Sequence, residues 1–190
     1  MCGSPCVDAM AAEAGRKTSV TQPETPRFDA PIVSRTMRVE PEWIDYNGHL
    51  NMAYYLVLFD RAVDDAFLRV GLGPDYLGES GCSYFTAETH TVYRRELPVD
   101  AAVVVTTQLI DHDEKRIHAY LELKQASEGW VSATCEKLFL HVDMGPKKVV
   151  PFRADLLANL DAMKAAHAGL PRPDAVGRSI GLARRAVGAA

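Results

Sequence analysis

Asp45, Asn47, Gly48, His49 and Asn51 crowd into the stretch "WIDYNGHLNMAYYLVLFD", which runs from Trp43 to Asp60. A carboxylate can serve as base or nucleophile, an imidazole changes charge near neutral pH, and side-chain amides orient a turn or a water. Asn51 stands directly before an apolar period, which makes it an N-cap candidate and starts a helix at Asn51 or Met52. The unpaired N–H groups and positive dipole end of that helix would face whatever "DYNGH" presents. Such a setting suits a carboxylate, a phosphate or an oxygen gaining negative charge. A plainer reading competes: Asp45, Asn47 and Asn51 satisfy backbone groups in a tight turn, and Gly48 supplies a conformation that other residues resist. Spacing alone favours the turn, and a single histidine such as His49 is more often a cap or a core residue than a catalyst. Trp43, Tyr46, Tyr54 and Tyr55 surround the same stretch, and spacing leaves open which ring packs and which faces a pocket.

The elements that must position these groups follow from periodicity. Met52, Tyr55, Leu56, Phe59, Val63, Phe67 and Val70 recur at three- and four-residue steps, with Asp60, Arg61, Asp64, Asp65 and Arg69 between them. That pattern predicts one long amphipathic helix, ended by Gly71 and Gly73. "GLGPDYLGESG" reads as loop with at most a helical turn. "IVSRTMRV" predicts a short strand broken by "EPEW". From Cys82 to Val142 the chain reads as four strands, "SYFTAETHTVYRRE", "AAVVVTTQLI", "KRIHAYLELKQ" and "WVSATCEKLFLHV", joined by "LPVD", "DHDE" and "ASEG". Connectors of that length predict hairpins and an antiparallel meander. In "RIHAYLEL", Ile117, Ala119, Leu121 and Leu123 share one face, while His118, Tyr120 and Glu122 share the other, which is expected to stay uncovered. "PFRADLLANLDAMKAAHAGL" places Leu156, Leu157, Leu160, Met163 and either Ala166 or His167 on one helix face, and "PRPDAVGRSIGLARR" trails off as a tail. A half-apolar antiparallel sheet must cover its apolar face, and the helix after Asn51 is the one early element large enough to do so. The expected architecture is α+β, a sheet wrapped around one central helix.

Composition narrows the function. The 190 residues are 47% hydrophobic and 24% charged, with a formal net charge of −4 and a pI of about 5.9. This describes one globular domain without the basic field that draws a chain to nucleic acid or anionic membrane. No apolar run approaches the roughly 18 residues of a membrane span, and no secretory pattern opens the chain, so a cytoplasmic location is expected. Residues 1–31 are small, polar and proline-rich, the composition of a disordered leader. Cys2, Cys6, Cys82 and Cys135 form no CxxC pair, so neither a metal site nor a disulfide frame is expected, and Cys82 and Cys135 read as small buried hydrophobes.

The string "WIDYNGHLNMAYYLVLFDRAVDDAF" resembles the signature of hotdog-fold acyl-CoA thioesterases of the 4-hydroxybenzoyl-CoA thioesterase-like group. In these an acidic residue, a Gly-containing turn, an Asn and a Tyr introduce the central helix. "ETHTVYRRELPVDAAVVVTTQL" and "ATCEKLFLHVD" are similar to that group's later strands, so the resemblance covers about 33–152. Within the group, the string and the tail "LPRPDAVGRSIGL" are most similar to thioesterases of carnitine and betaine breakdown. The resemblance implies a hotdog domain over 32–152, followed by a helix and tail over 153–190. It also implies a homodimer with sites between subunits, with further pairing into a tetramer left open, an acyl-CoA substrate and no cofactor. Asp45 would be the catalytic carboxylate, as nucleophile or as base for water. His49 and Asn51 would orient the turn or the water, and the helix start near His49 to Met52 would meet the oxyanion. Glu88 and His90 lie on a strand whose inward face would meet the partner's helix start, although a solvated cross-strand pair is an equal reading. If the acyl group carries a quaternary ammonium, Trp43, Tyr46, Tyr54 and Tyr55 are candidates to hold it by cation–π attraction. Arg94, Arg95, Lys115, Arg116, Lys147 and Lys148 suit coenzyme A phosphates, as they suit any solvated rim. Two other functions share these features: a hotdog hydratase acting on enoyl thioesters, and a non-catalytic acyl-CoA-binding protein.

Overall fold

The apolar spacing after Asn51 forms helix α1 (Met52–Leu68) in the computed structural model of the protein, which describes residues 27–182. Nearly all of the expected leader, with Cys2 and Cys6, lies outside the described residues. Asn51 caps α1 as its position requires: its Oδ1 accepts the Ala53 N–H at 3.0 Å. Tyr55, Leu58, Phe59, Ala62, Val63, Ala66 and Phe67 form the buried stripe. At about 25 cal/mol per Å² of apolar surface, such a stripe is the main reason this segment is held in place. Gly71, at φ +98°, turns the chain off the helix, and Leu72 N–H closes back onto Phe67 O at 2.9 Å.

"GLGPDYLGESG" is more ordered than its composition predicts. It forms α2 (Pro74–Ser80), with proline in the first turn and Gly81 left-handed at the end. Gly and Pro here are start and stop signals for a helix rather than loop formers. Its one buried residue, Tyr76, lies 2.9 Å through its hydroxyl from His141 Nε2. His141 Nδ1 donates to Val150 O at 2.9 Å, and its ring stacks on Phe152.

The sheet contains β1 (Ile32–Val33), β2 (Met37–Arg38), β3 (Cys82–Tyr93), β4 (Ala102–His112), β5 (Arg116–Gln125), β6 (Val131–Asp143) and β7 (Lys148–Val149). All pairings are antiparallel, in the order β1-β4-β5-β6-β3, with β2 also on β4 and β7 on β6. "IVSRTMRV" is thus two short strands. Ser34 sits between them, accepting Val105 N–H on its hydroxyl and donating its own N–H to Val105 O. The expected meander holds for β4, β5 and β6 but fails for β3, which pairs with β6 instead of β4. The reason is the segment after Tyr93. Leu97 is fully buried and its carbonyl accepts Leu50 N–H, while Asp100 N–H bonds Val39 O. The chain is therefore carried past the helix start to the opposite edge of the sheet.

Ile117, Ala119, Leu121 and Leu123 are buried against α1, as their alternation requires. The opposite face is not uncovered, since Tyr120 is only 4% exposed. The expected free tail lies across it: Gln108 Nε2 donates to Pro171 O, and Gly177 N–H bonds the Glu136 carboxylate at 2.9 Å. Helix α3 (Ala154–His167) adds Leu156, Leu160 and Met163 to the core and buries His167 rather than Ala166. His167 Nδ1 accepts the Leu109 N–H at 2.9 Å, and its other ring nitrogen lies 3.0 Å from Asp29 O. Burial pushes the Cys135 thiol above its ordinary pKa, in keeping with a small hydrophobe. No described helix is long and apolar enough to cross a membrane.

Candidate active site

The stretch from Asp45 to His49 is a closed turn. Ile44 and Leu50 form an antiparallel bridge, Asp45 N–H donates to His49 O, and Gly48 N–H returns to Asp45 O. Asp45 Oδ1 accepts the Asn47 N–H at 2.8 Å, so the Asx-turn reading of these residues is geometrically correct. Gly48 sits at φ +83°, and a Cβ there would meet nothing within 4 Å. Its requirement is backbone conformation, not space.

This turn forms one side of a cleft of about 350 Å³, lined by Asp45, His49, Leu50, Met52, Tyr55, Tyr93, Arg94, Arg95 and Glu96. Turn chemistry and cleft chemistry therefore coexist in Asp45. Asn51 N–H bonds Trp43 O, Ala53 N–H bonds the Asn51 side chain and Tyr54 N–H bonds Asn51 O. Among the described residues the Met52 N–H is left without an acceptor, and Met52 lines the cleft. An unpaired N–H at the positive end of a helix is suited to an oxygen that gains charge during reaction.

Asp45, His49, Met52 and Tyr55 are thus brought together as the sequence suggests. Asn51 stands at the helix start with its side chain engaged in the cap and does not line the cleft. Tyr46 is 98% exposed and also lies off it. Trp43 is buried, with Tyr54 stacked on its ring at 5.3 Å and the Arg61 guanidinium 5.0 Å from its centroid. These contacts engage the Trp43 and Tyr54 rings with each other, and neither lines the cleft. Glu88 and His90 are on the outer face of the sheet, which answers to the cross-strand reading of the pair rather than to the inward one. They border a separate cleft with His118, Glu136 and the tail residues Gly177–Ile180. Thr91 points inward, its hydroxyl bonded to Cys135 Sγ, so alternation sends His90 and Glu88 outward.

Tyr93 and Glu96 belong to the cleft and escaped the sequence reading. Tyr93 Oη donates to Met52 O at 3.2 Å, and its ring meets Tyr55 edge-on at 5.0 Å. Glu96 Oε1 lies 3.4 Å from His49 Nε2. No spacing relates "VYRRE" to "DYNGH"; the Leu50 N–H to Leu97 O bond brings them together. Of the basic residues considered for coenzyme A, only Arg94 and Arg95 line this cleft, whereas Lys115 and Arg116 are paired with Glu114 and Asp113. Desolvation raises the pKa of Tyr55 and Tyr93, so both phenols stay protonated at neutral pH. Among the described residues, no cluster of three His, Cys, Asp or Glu side chains is placed to hold a metal.

A family model for the thioesterase-like superfamily matches residues 39–160. The betainyl-CoA thioesterase of Pseudomonas aeruginosa is 42% identical over 144 residues, covering 76% of this chain and 91% of that one. An L-carnitine dehydrogenase/betainyl-CoA thioesterase of Rhizobium meliloti is 40% identical over 147 residues, covering 77% of this chain and 29% of that longer protein. Among solved structures, a Staphylococcus aureus protein in complex with CoA superposes with a TM-score of 0.74 at 24% identity, covering 82% and 98% of the two chains. A DHNA-CoA thioesterase of the same species gives 0.66 at 14% identity, covering 72% and 93%. With its antiparallel sheet packed on α1, the chain belongs to the thioesterase-like superfamily as a hotdog-fold acyl-CoA thioesterase, a thioester hydrolase.

Proposed function

We propose that this thioesterase hydrolyses a small acyl-CoA bearing a quaternary ammonium, of the betainyl type, with Asp45 as its catalytic carboxylate. One observation carries the assignment of Asp45: it lines the same cleft as Met52, the residue at the helix start whose N–H has no acceptor among the described residues. The substrate class is supported by the 42% identity to a betainyl-CoA thioesterase over most of both chains.

The thioester carbonyl sits with its oxygen toward the Met52 N–H. Either the Asp45 carboxylate attacks the carbonyl carbon and coenzyme A leaves as thiolate, to be followed by water, or Asp45 takes a proton from the attacking water. Both routes place negative charge on the carbonyl oxygen, which a helix-start donor stabilises by roughly 3 to 4 kcal/mol. His49 orients the turn or the water. Asn51 holds the helix start by its cap. Arg94, which lines the cleft, offers a cation for the coenzyme A phosphates.

The active unit is a homodimer, formed in the cytoplasm. Supporting this, β3 pairs with β6 on one side only among the described residues, which leaves a long edge open to a second copy. Residues 32–152 are the thioesterase domain, followed by α3, which adds Leu156, Leu160 and Met163 to its core, and by a tail described as far as residue 182.

Thiol release from betainyl-CoA tests the chemistry. The Asp45→Asn variant is expected to lose about a thousandfold in kcat with its fold intact. Retained turnover would remove Asp45 from the reaction, and hydration of an enoyl-CoA without thiol release would replace hydrolysis altogether.

A further inference from the structure

A betainyl group carries its permanent positive charge one methylene from the thioester carbonyl. The groups that receive this charge must therefore stand in the same cleft as Asp45. The aromatic stretch around the helix start does not provide them: Trp43 is flanked by Tyr54 and Arg61, Tyr46 points to solvent, and Tyr55 is 4% exposed. Tyr93 does present a ring, being 44% exposed. Its orientation is fixed at both ends, by the hydroxyl bond to Met52 O and by edge contact with Tyr55. Three residues on, Glu96 brings a carboxylate into the cleft, 3.4 Å from His49 and 75% exposed. Of the two arginines on this wall, Arg95 is turned onto the Trp130 ring, its guanidinium 3.9 Å from the centroid, and Arg94 is the remaining cation.

We propose that Tyr93 and Glu96 form the subsite for the acyl cation, the ring presenting its face to the ammonium methyl groups and the carboxylate balancing the charge. The assignment rests on the quaternary-ammonium reading given above. It divides the cleft by charge: the ammonium toward Tyr93 and Glu96, the coenzyme A phosphates toward Arg94. Glu96 is then a specificity-determining residue, with no part in bond making.

The experiment compares kcat/KM for betainyl-CoA with that for 3,3-dimethylbutanoyl-CoA, which has carbon in place of nitrogen and nearly the same shape. The wild-type enzyme is expected to favour the cation. The preference should fall about tenfold in Glu96→Gln and in Tyr93→Leu, and persist in Tyr93→Phe, which keeps the ring. Equal losses for both substrates in Glu96→Gln would overturn the proposal, leaving Glu96 as a partner of His49. Retention of the full preference in Tyr93→Leu would overturn the part given to the ring. A wild-type enzyme that does not distinguish the two substrates would overturn the quaternary-ammonium reading itself, and this subsite with it. Glu96→Gln is isosteric and exposed, so the comparison holds even if a Tyr93 variant fails to fold.

Discussion

Asn51 stands at the helix start with its side chain engaged in the backbone cap rather than lining the cleft. Its Oδ1 accepts the Ala53 N–H, and its own N–H and carbonyl are bonded to Trp43 and Tyr54. Replacing Asn51 by Ala is expected to lower stability by about 1 kcal/mol, and Asn51→Asp to restore it, as measured by denaturant unfolding. Activity should fall far less than in Asp45→Asn. An equal loss of kcat in Asn51→Ala would place Asn51 among the reacting groups. Asp45 differs because the residue whose carboxylate closes the turn through Asn47 N–H also lines the cleft. Its turn role was legible from the order Asp, Asn, Gly. Its place in a cleft was not, because the opposite wall comes from residues some fifty positions later.

At the level of elements, the contact of α3 with β4 contains a pH-dependent joint. His167 is 2% exposed, accepts Leu109 N–H through Nδ1 and meets Asp29 O through its other nitrogen. Burial lowers its pKa from the ordinary 6.5. A proton therefore binds the unfolded chain more readily than the folded one. The stability contributed by neutral His167 is complete above pH 6.5 and is lost as pH falls from there through the depressed folded value. Melting temperature should accordingly drop on acidification below pH 6.5, and part of that drop should vanish in His167→Gln. An unchanged pH profile in that variant would remove His167 as the cause. Elsewhere, helices and strands were legible wherever a face meets the core: the three- and four-residue spacing of α1 and the Ile117, Ala119, Leu121 and Leu123 series of β5 both follow it. Alternation could not reveal that β3 joins β6. Pairing is set by the bonds at Leu97 and Asp100, which send β4 to the far edge.

For the whole molecule, the open edge of β3 matters most. It includes a continuous exposed run from Phe85 to Thr89, centred on Ala87, where the register with β6 shifts. Two copies pairing antiparallel about that centre would set Ala87 opposite Ala87. Ala87→Glu should then raise the dimer dissociation constant at least tenfold in sedimentation, with relief by salt. A dimer that withstands this change pairs through another surface. The sequence by itself determined the helix that the sheet surrounds, the cap that begins it and the turn that carries Asp45. Each is fixed by residues close together in the chain, through periodicity, Asx chemistry and one glycine. Only the tertiary structure decided that Tyr93 and Glu96 complete the cleft, that Glu88 and His90 face outward, and that the tail covers the back of the sheet. Those outcomes depend on strand order and on the alternation of faces, which long-range hydrogen bonds establish and local spacing does not encode.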